Sequence, residues 1–209
     1  MSLMELIALA DERGLAAGGL ACLDRCLPPP AEGDEPEPLR PLWASCENGQ
    51  EWEARLAAVR AALDGDATAG AGDAAGTGET PPGDGPAAGD TPAIRVRAML
   101  AAAPRDFAVA PLRAWADACS LVALDIHRTF DFPAAGGVEQ LNRCRTGDLE
   151  GSGPLVTGEV RRQIEILETL AESGGTVGSG AGLRRALDLS TEGQRVLRAV
   201  MSRRARGRS

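Results

Sequence analysis

The chain has 209 residues and a formal net charge of −8, with 22 basic residues, 30 acids, one histidine and no tyrosine. Every basic residue is arginine. The absence of lysine excludes a phosphate-loop lysine, a Schiff base and a pyridoxal anchor, and a single histidine excludes a zinc site with two histidines from one chain. The length allows one large or two small domains. Its apolar residues are mainly Ala and Leu, with three Phe and three Trp, so the core must come from aliphatic helix packing. The richness in Ala, Gly and Arg fits a GC-rich bacterial coding sequence, and the arginines need no individual functional explanation.

In chain order, Ser2-Leu3-Met4-Glu5 is a capping box that opens a helix through Leu6, Ile7 and Ala10, which Gly14 and Gly18-Gly19 interrupt. A short helix is predicted over Leu20 to Leu27, stopped by Pro28-Pro29-Pro30. Asn48-Gly49-Gln50-Glu51 reads as another capping box, before a helix with Trp52, Leu56, Val59 and Leu63 on one face. Residues 64–91 hold six acids and no base, Leu, Ile, Val or aromatic residue, which predicts a flexible acidic loop. Thr91-Pro92 is a cap and first-turn pair for a helix ending at Pro104. A short strand at Ile94, Val96 or Val109 is the competing possibility.

Pro111 begins the longest pattern, in which Leu112, Trp115, Cys119, Val122, Ile126 and Phe130 form an apolar stripe. About twenty residues of helix span roughly 30 Å, so this is the expected central helix. Residues 136–145 form a short helix and 147–154 a loop. Thr157 with Glu159 starts a helix carrying Val160, Ile164, Leu167 and Leu170. After a glycine-rich connector, a short helix over 183–189 precedes a last one capped by Ser190 or Thr191. The expectation is an all-α, bundle-like fold of about seven to nine helices with a long disordered Gly/Ala/Asp-rich loop. Segments 1–63 and 92–202 are expected to pack together, followed by a basic tail over 203–209.

His127 is the focus for chemistry. On a helix Cys119, His127 and Asp131 share a face, a line that could activate a thiol or ligate a metal. Eight residues of helix put Cys119 about 12 Å from His127, however, and Asp131 lies where the helix must end. The favoured reading is the end of a core helix, with His127, Cys119 and Asp131 as the weak catalytic candidates. Cys22, Cys26 and Cys46, with His127, are the corresponding metal candidates, to which Cys119 or Cys144 could add a fourth thiolate. The four-residue spacing of Cys22 and Cys26 departs from CxxC, so core thiols are the simpler reading. The glycines before Arg184 and Arg185 lack a phosphate-loop pattern, and Glu165 with Glu168 look like solvated acids. No cofactor is called for.

Residues 1–200 carry −12, and the last nine residues +4 through Arg203, Arg204, Arg206 and Arg208. An acidic body repels nucleic acid, leaving only those arginines to contact it, and suits a basic protein partner. Neither an N-terminal export signal nor a membrane span is evident, and the odd number of cysteines reads as reduced thiols, which together suggest the cytoplasm. The expected function is non-catalytic protein binding, in one version as an inhibitor or immunity-type protein. The alternative is a small metal-binding protein or enzyme centred on His127 with cysteine and carboxylate groups.

Overall fold

The computed structural model describes residues 1–27, 38–71, 91–131, 136–173 and 179–206. Among these, the chain forms nine α-helices and no strand: α1 (Leu3–Leu9), α2 (Glu12–Cys26), α3 (Arg40–Ser45), α4 (Trp52–Ala71), α5 (Pro92–Ala101), α6 (Val109–Phe130), α7 (Val138–Arg145), α8 (Pro154–Ser173) and α9 (Ser179–Arg206). The all-α expectation holds. The Ser2–Glu5 capping box forms on both sides, and Thr91 caps α5 with Pro92 in its first turn. Ile94, Val96 and Val109, the possible strand positions, are helical.

Several boundaries differ from the sequence reading. Gly14, Gly18 and Gly19 lie inside α2, which runs unbroken from its cap at Asp11. Glycine costs about 1 kcal/mol relative to alanine in a helix, but here it permits close packing. A Cβ on Gly19 would lie 2.6 Å from the Trp115 ring, and one on Gly18 would lie 3.1 Å from Leu167. Asn48-Gly49-Gln50-Glu51 is a turn and caps nothing as a box: Asn48 Oδ1 accepts from the Gln50 amide, and Glu51 sits at φ 58°. That left-handed backbone keeps Glu51 out of the helix. Helix α4 continues to Ala71, inside the expected loop, because alanine propagates a helix once nucleated. The remainder of that loop, residues 72–90, lies outside the described residues, as does the proline run at 28–30.

Helix α8 begins at Pro154, so Glu159 is in its body and not at its start. Helix α9 is continuous where two helices were expected. Ser190 is not a cap but points back across the bundle to Ala21 O and Asp24. Thr191 bonds within the helix to Leu187 O.

Helices α2, α6, α8 and α9 surround the main core, to which α1, α3, α4 and α5 also contribute. Their directions follow from cross-helix contacts. Arg13 reaches Ser173 and Arg25 reaches Glu159, so α2 and α8 are antiparallel. Ser120 meets Gln163 while His127 meets Glu159, so α6 is also antiparallel to α8. A Cβ on Gly182 would approach Arg13 and one on Gly193 would meet Arg25, so α9 runs with α2. Three helices therefore run one way and α8 returns between them. A smaller apolar cluster of Leu124, Leu141, Cys144, Val156 and Val160 lies where α7 packs against α6 and α8.

Aromatic residues fasten the α4–α5 side. Trp52 packs edge-on against Phe107 and Trp115, and its indole donates to Pro104 O at 2.8 Å. Arg60 donates to Leu100 O, Ala101 O and Ala103 O, at and just beyond the end of α5, where backbone carbonyls run out of helical donors. The tight α2–α6 contact gives a direct test. Gly19→Ala should destabilise by about 1–2 kcal/mol in urea melts, because the rigid Trp115 ring outweighs the gain in propensity. Gly158→Ala, where a new Cβ meets nothing within 4 Å, should stabilise by up to about 1 kcal/mol. Equal effects would show that the glycines in α2 are not there for packing.

Candidate functional site: a buried arginine–glutamate–histidine cluster

The bundle interior contains charge. Leu20, Leu23 and Cys26 make α2 apolar around Arg25, which is fully buried with its carboxylate partner, Glu159 of α8. Arg25 Nε donates to both Glu159 oxygens, at 3.2 and 2.9 Å, and Nη2 donates to Oε1 at 2.5 Å. Such a fork is the strong geometry for a guanidinium and a carboxylate. Gln163, one turn along α8, donates to Glu159 Oε1 at 2.8 Å and accepts from the Ser120 hydroxyl at 2.6 Å.

His127 completes the cluster. Its Nδ1 lies 2.8 Å from Ala123 O, and since a carbonyl can only accept, that nitrogen carries a proton. The other ring nitrogen, Nε2, faces Glu159 Oε2 at 3.5 Å. Arg162, partly exposed on α8, approaches the same oxygen at 3.9 Å. Burial raises the carboxyl pKa of Glu159, but Arg25, His127 and the hydrogen bonds from Arg25 and Gln163 outweigh it and bring it down to about 2. Glu159 is therefore a carboxylate at neutral pH.

The structure treats the other candidates differently. Asp131 is buried and follows the last turn of α6, and its two oxygens accept from the backbone amides of Leu155 and Val156 at 2.8 and 3.0 Å. It caps the first turn of α8 from 24 residues away, where its charge also suits the helix dipole. Gly153 leaves it room, for a Cβ there would sit 2.3 Å from the Asp131 carboxyl. Asp131→Ala should therefore lower stability by about 1–2 kcal/mol, measured by thermal or urea unfolding. A neutral substitution would contradict the cap.

Cys22, Cys26, Cys46, Cys119 and Cys144 are all buried free thiols. Burial raises the pKa of Cys22 to about 12 despite Arg25, and raises Cys26, Cys46 and Cys119 well above the ordinary thiol range. Such thiols are poor nucleophiles at neutral pH. Cys22 touches the cluster, through Arg25 Nη2 at 3.7 Å. No group of three or more His, Cys, Asp and Glu side chains placed to hold a metal occurs among the described residues. Of the tail arginines, Arg203, Arg204 and Arg206 belong to α9; Arg208 is outside the described residues. Arg204 lies over the Phe130 ring at 5.6 Å and donates to Thr129 O at 2.8 Å.

Sequence reasoning reached His127 and missed Arg25, Ser120, Glu159 and Gln163. A signal was present: Glu159 and Gln163 fall on the stripe of α8 that also buries Val156, Val160, Leu167 and Leu170, where a polar side chain needs a partner. No family model, curated protein or solved structure matches the chain. Among the described residues, no helix is long and apolar enough to cross a membrane.

Proposed function

We propose that this chain is a cytoplasmic helical protein that acts by binding another protein, through an acidic surface suited to a basic partner, in the manner of an inhibitor or immunity-type protein. The observation that carries this reading is the distribution of charge between interior and surface. Arg25, Glu159 and His127 face one another inside the bundle, whereas Glu165, Glu168 and Glu172 project outward from α8 at three- and four-residue spacing. Residues 179–206 contain seven arginines and two acids, so the rest of the chain carries −13 of the total −8. Charge separated in this way steers association and selects partners by sign.

The test is affinity capture at low and high salt with the wild type and a Glu165→Arg, Glu168→Arg, Glu172→Arg variant. A basic protein held by the wild type, released by salt and lost in the variant is expected. A partner indifferent to both changes, or none, would overturn the proposal.

One observation favours the second reading, a metal-binding protein or enzyme centred on His127: a carboxylate lies 3.5 Å from its Nε2. Native mass spectrometry of the reduced protein with added zinc separates the readings. One zinc retained by the wild type and lost in His127→Ala would favour the second.

A further inference from the structure

Arg25 has a third nitrogen, Nη1, which is buried and has no hydrogen-bond partner among the described residues. A desolvated guanidinium N–H without an acceptor is costly, which is why buried charged groups ordinarily fill every donor position. Arg25 also lines a cleft between α1, α2, α6 and α8. Including its mouth, the cleft measures about 300 Å³, and its inner part has room for roughly one water molecule. Ile7, Leu15, Ile166 and Leu167 form apolar walls, while Cys22, Ser120 and Gln163 stand beside Arg25.

The local charge points the same way. Glu159 is the carboxylate of the cluster, and it faces Arg25, Arg162 at 3.9 Å and the His127 ring at 3.5 Å. Two guanidinium charges against one carboxylate leave the cluster positive even with a neutral imidazole. The thiol of Cys22 supplies no compensating anion, because burial keeps it protonated.

We propose that the inner end of this cleft binds one compact monovalent anion of halide size, with Arg25 Nη1 as its charged donor and the Cys22 S–H as a weak second donor. Sulfate and phosphate are too large for a space of this volume, whereas chloride comes close to the size of the water it would replace. The apolar walls strengthen the attraction by excluding competing solvent. The anion would neutralise the interior and tie α2 to α6 and α8, which makes the stability of the fold respond to the anion present.

Crystals grown in bromide test the site directly. An anomalous peak within hydrogen-bonding distance of Arg25 Nη1 is expected; water there, or nothing, overturns the proposal. Thermal melting gives an independent reading at constant ionic strength, with chloride exchanged for gluconate. Saturating chloride should raise the melting temperature by about 3 °C, and Ala116→Leu, which fills the cleft, should abolish the response. An equal rise with sulfate, or no difference between chloride and gluconate, would show general salt effects only and sink the assignment. Neither measurement depends on the protein-binding proposal.

Discussion

Glu159→Gln should lower the free energy of unfolding by about 3–5 kcal/mol, measured by urea denaturation near neutral pH. Arg25 is fully buried and its two engaged nitrogens both go to this carboxylate, so the amide would leave a desolvated cation without its counter-charge. Gln163 Nε2 would lose a charged acceptor at the same time. The double variant Arg25→Met, Glu159→Leu should be less damaging than Glu159→Gln alone, because a buried ion pair can give way to packed apolar groups at little net cost. That comparison is the informative one. Equal losses in both would mean that the space, and not the charge, governs the site, and a loss below about 1 kcal/mol in Glu159→Gln would contradict the fork as a stabilising contact.

The second large effect is sensitivity to acid. In the folded protein Glu159 titrates at about 2, against an ordinary value of 4.5. A folded pKa below the unfolded one means that the unfolded chain binds the proton more readily. The resulting stabilisation is fully present above the unfolded pKa of 4.5 and is lost as pH falls from there toward 2. The difference corresponds to about 3 kcal/mol, which is large against a typical domain stability of about 5–15 kcal/mol. Glu5 and Asp125 are shifted in the same direction, the first by its capping box with Ser2. For Asp125, burial opposes the shift but the hydrogen bonds from Arg128 and Arg95 outweigh it. Both are far more exposed than Glu159 and should contribute much less. Unfolding midpoints measured between about pH 6 and pH 3 should fall steeply for the wild type and more gently for Glu159→Gln. Parallel slopes would remove Glu159 as the source.

The cluster also accounts for helix placement. One carboxylate on α8 is shared by a side chain from α2 and approached by another from α6, so sliding any of the three helices by a turn would separate charges already removed from water. An apolar core tolerates such slips better than a forked ion pair does. Gly193 belongs to the same arrangement, since a Cβ there would meet Arg25 Cδ at 2.4 Å and Arg162 Cδ at 2.6 Å. The glycine lets α9 close over the buried arginine.

The all-helical class, the Ser2 and Thr91 caps and the apolar face of α6 were legible in the sequence because each rests on residues within a turn or two of one another. The thiols could be read as core residues on a different ground, because cysteine is among the residue types most often buried. His127 was identifiable as the end of a core helix from its place before Asp131-Phe132-Pro133. Packing alone decided that α2 runs through Gly18 and Gly19, since the leucine and the ring that crowd them lie on α8 and α6. Packing also decided that Asp131 caps a helix beginning more than twenty residues later, and that Ser190 reaches α2 instead of starting a helix. The buried ion pair beside His127 was hidden most completely. Arg25 and Glu159 are 134 residues apart, and no local spacing records that they meet. Helical periodicity states which side of a helix turns inward, because that depends on the chain's own geometry. Which inward-facing charges meet depends on how separate helices pack, and only the tertiary structure determines that.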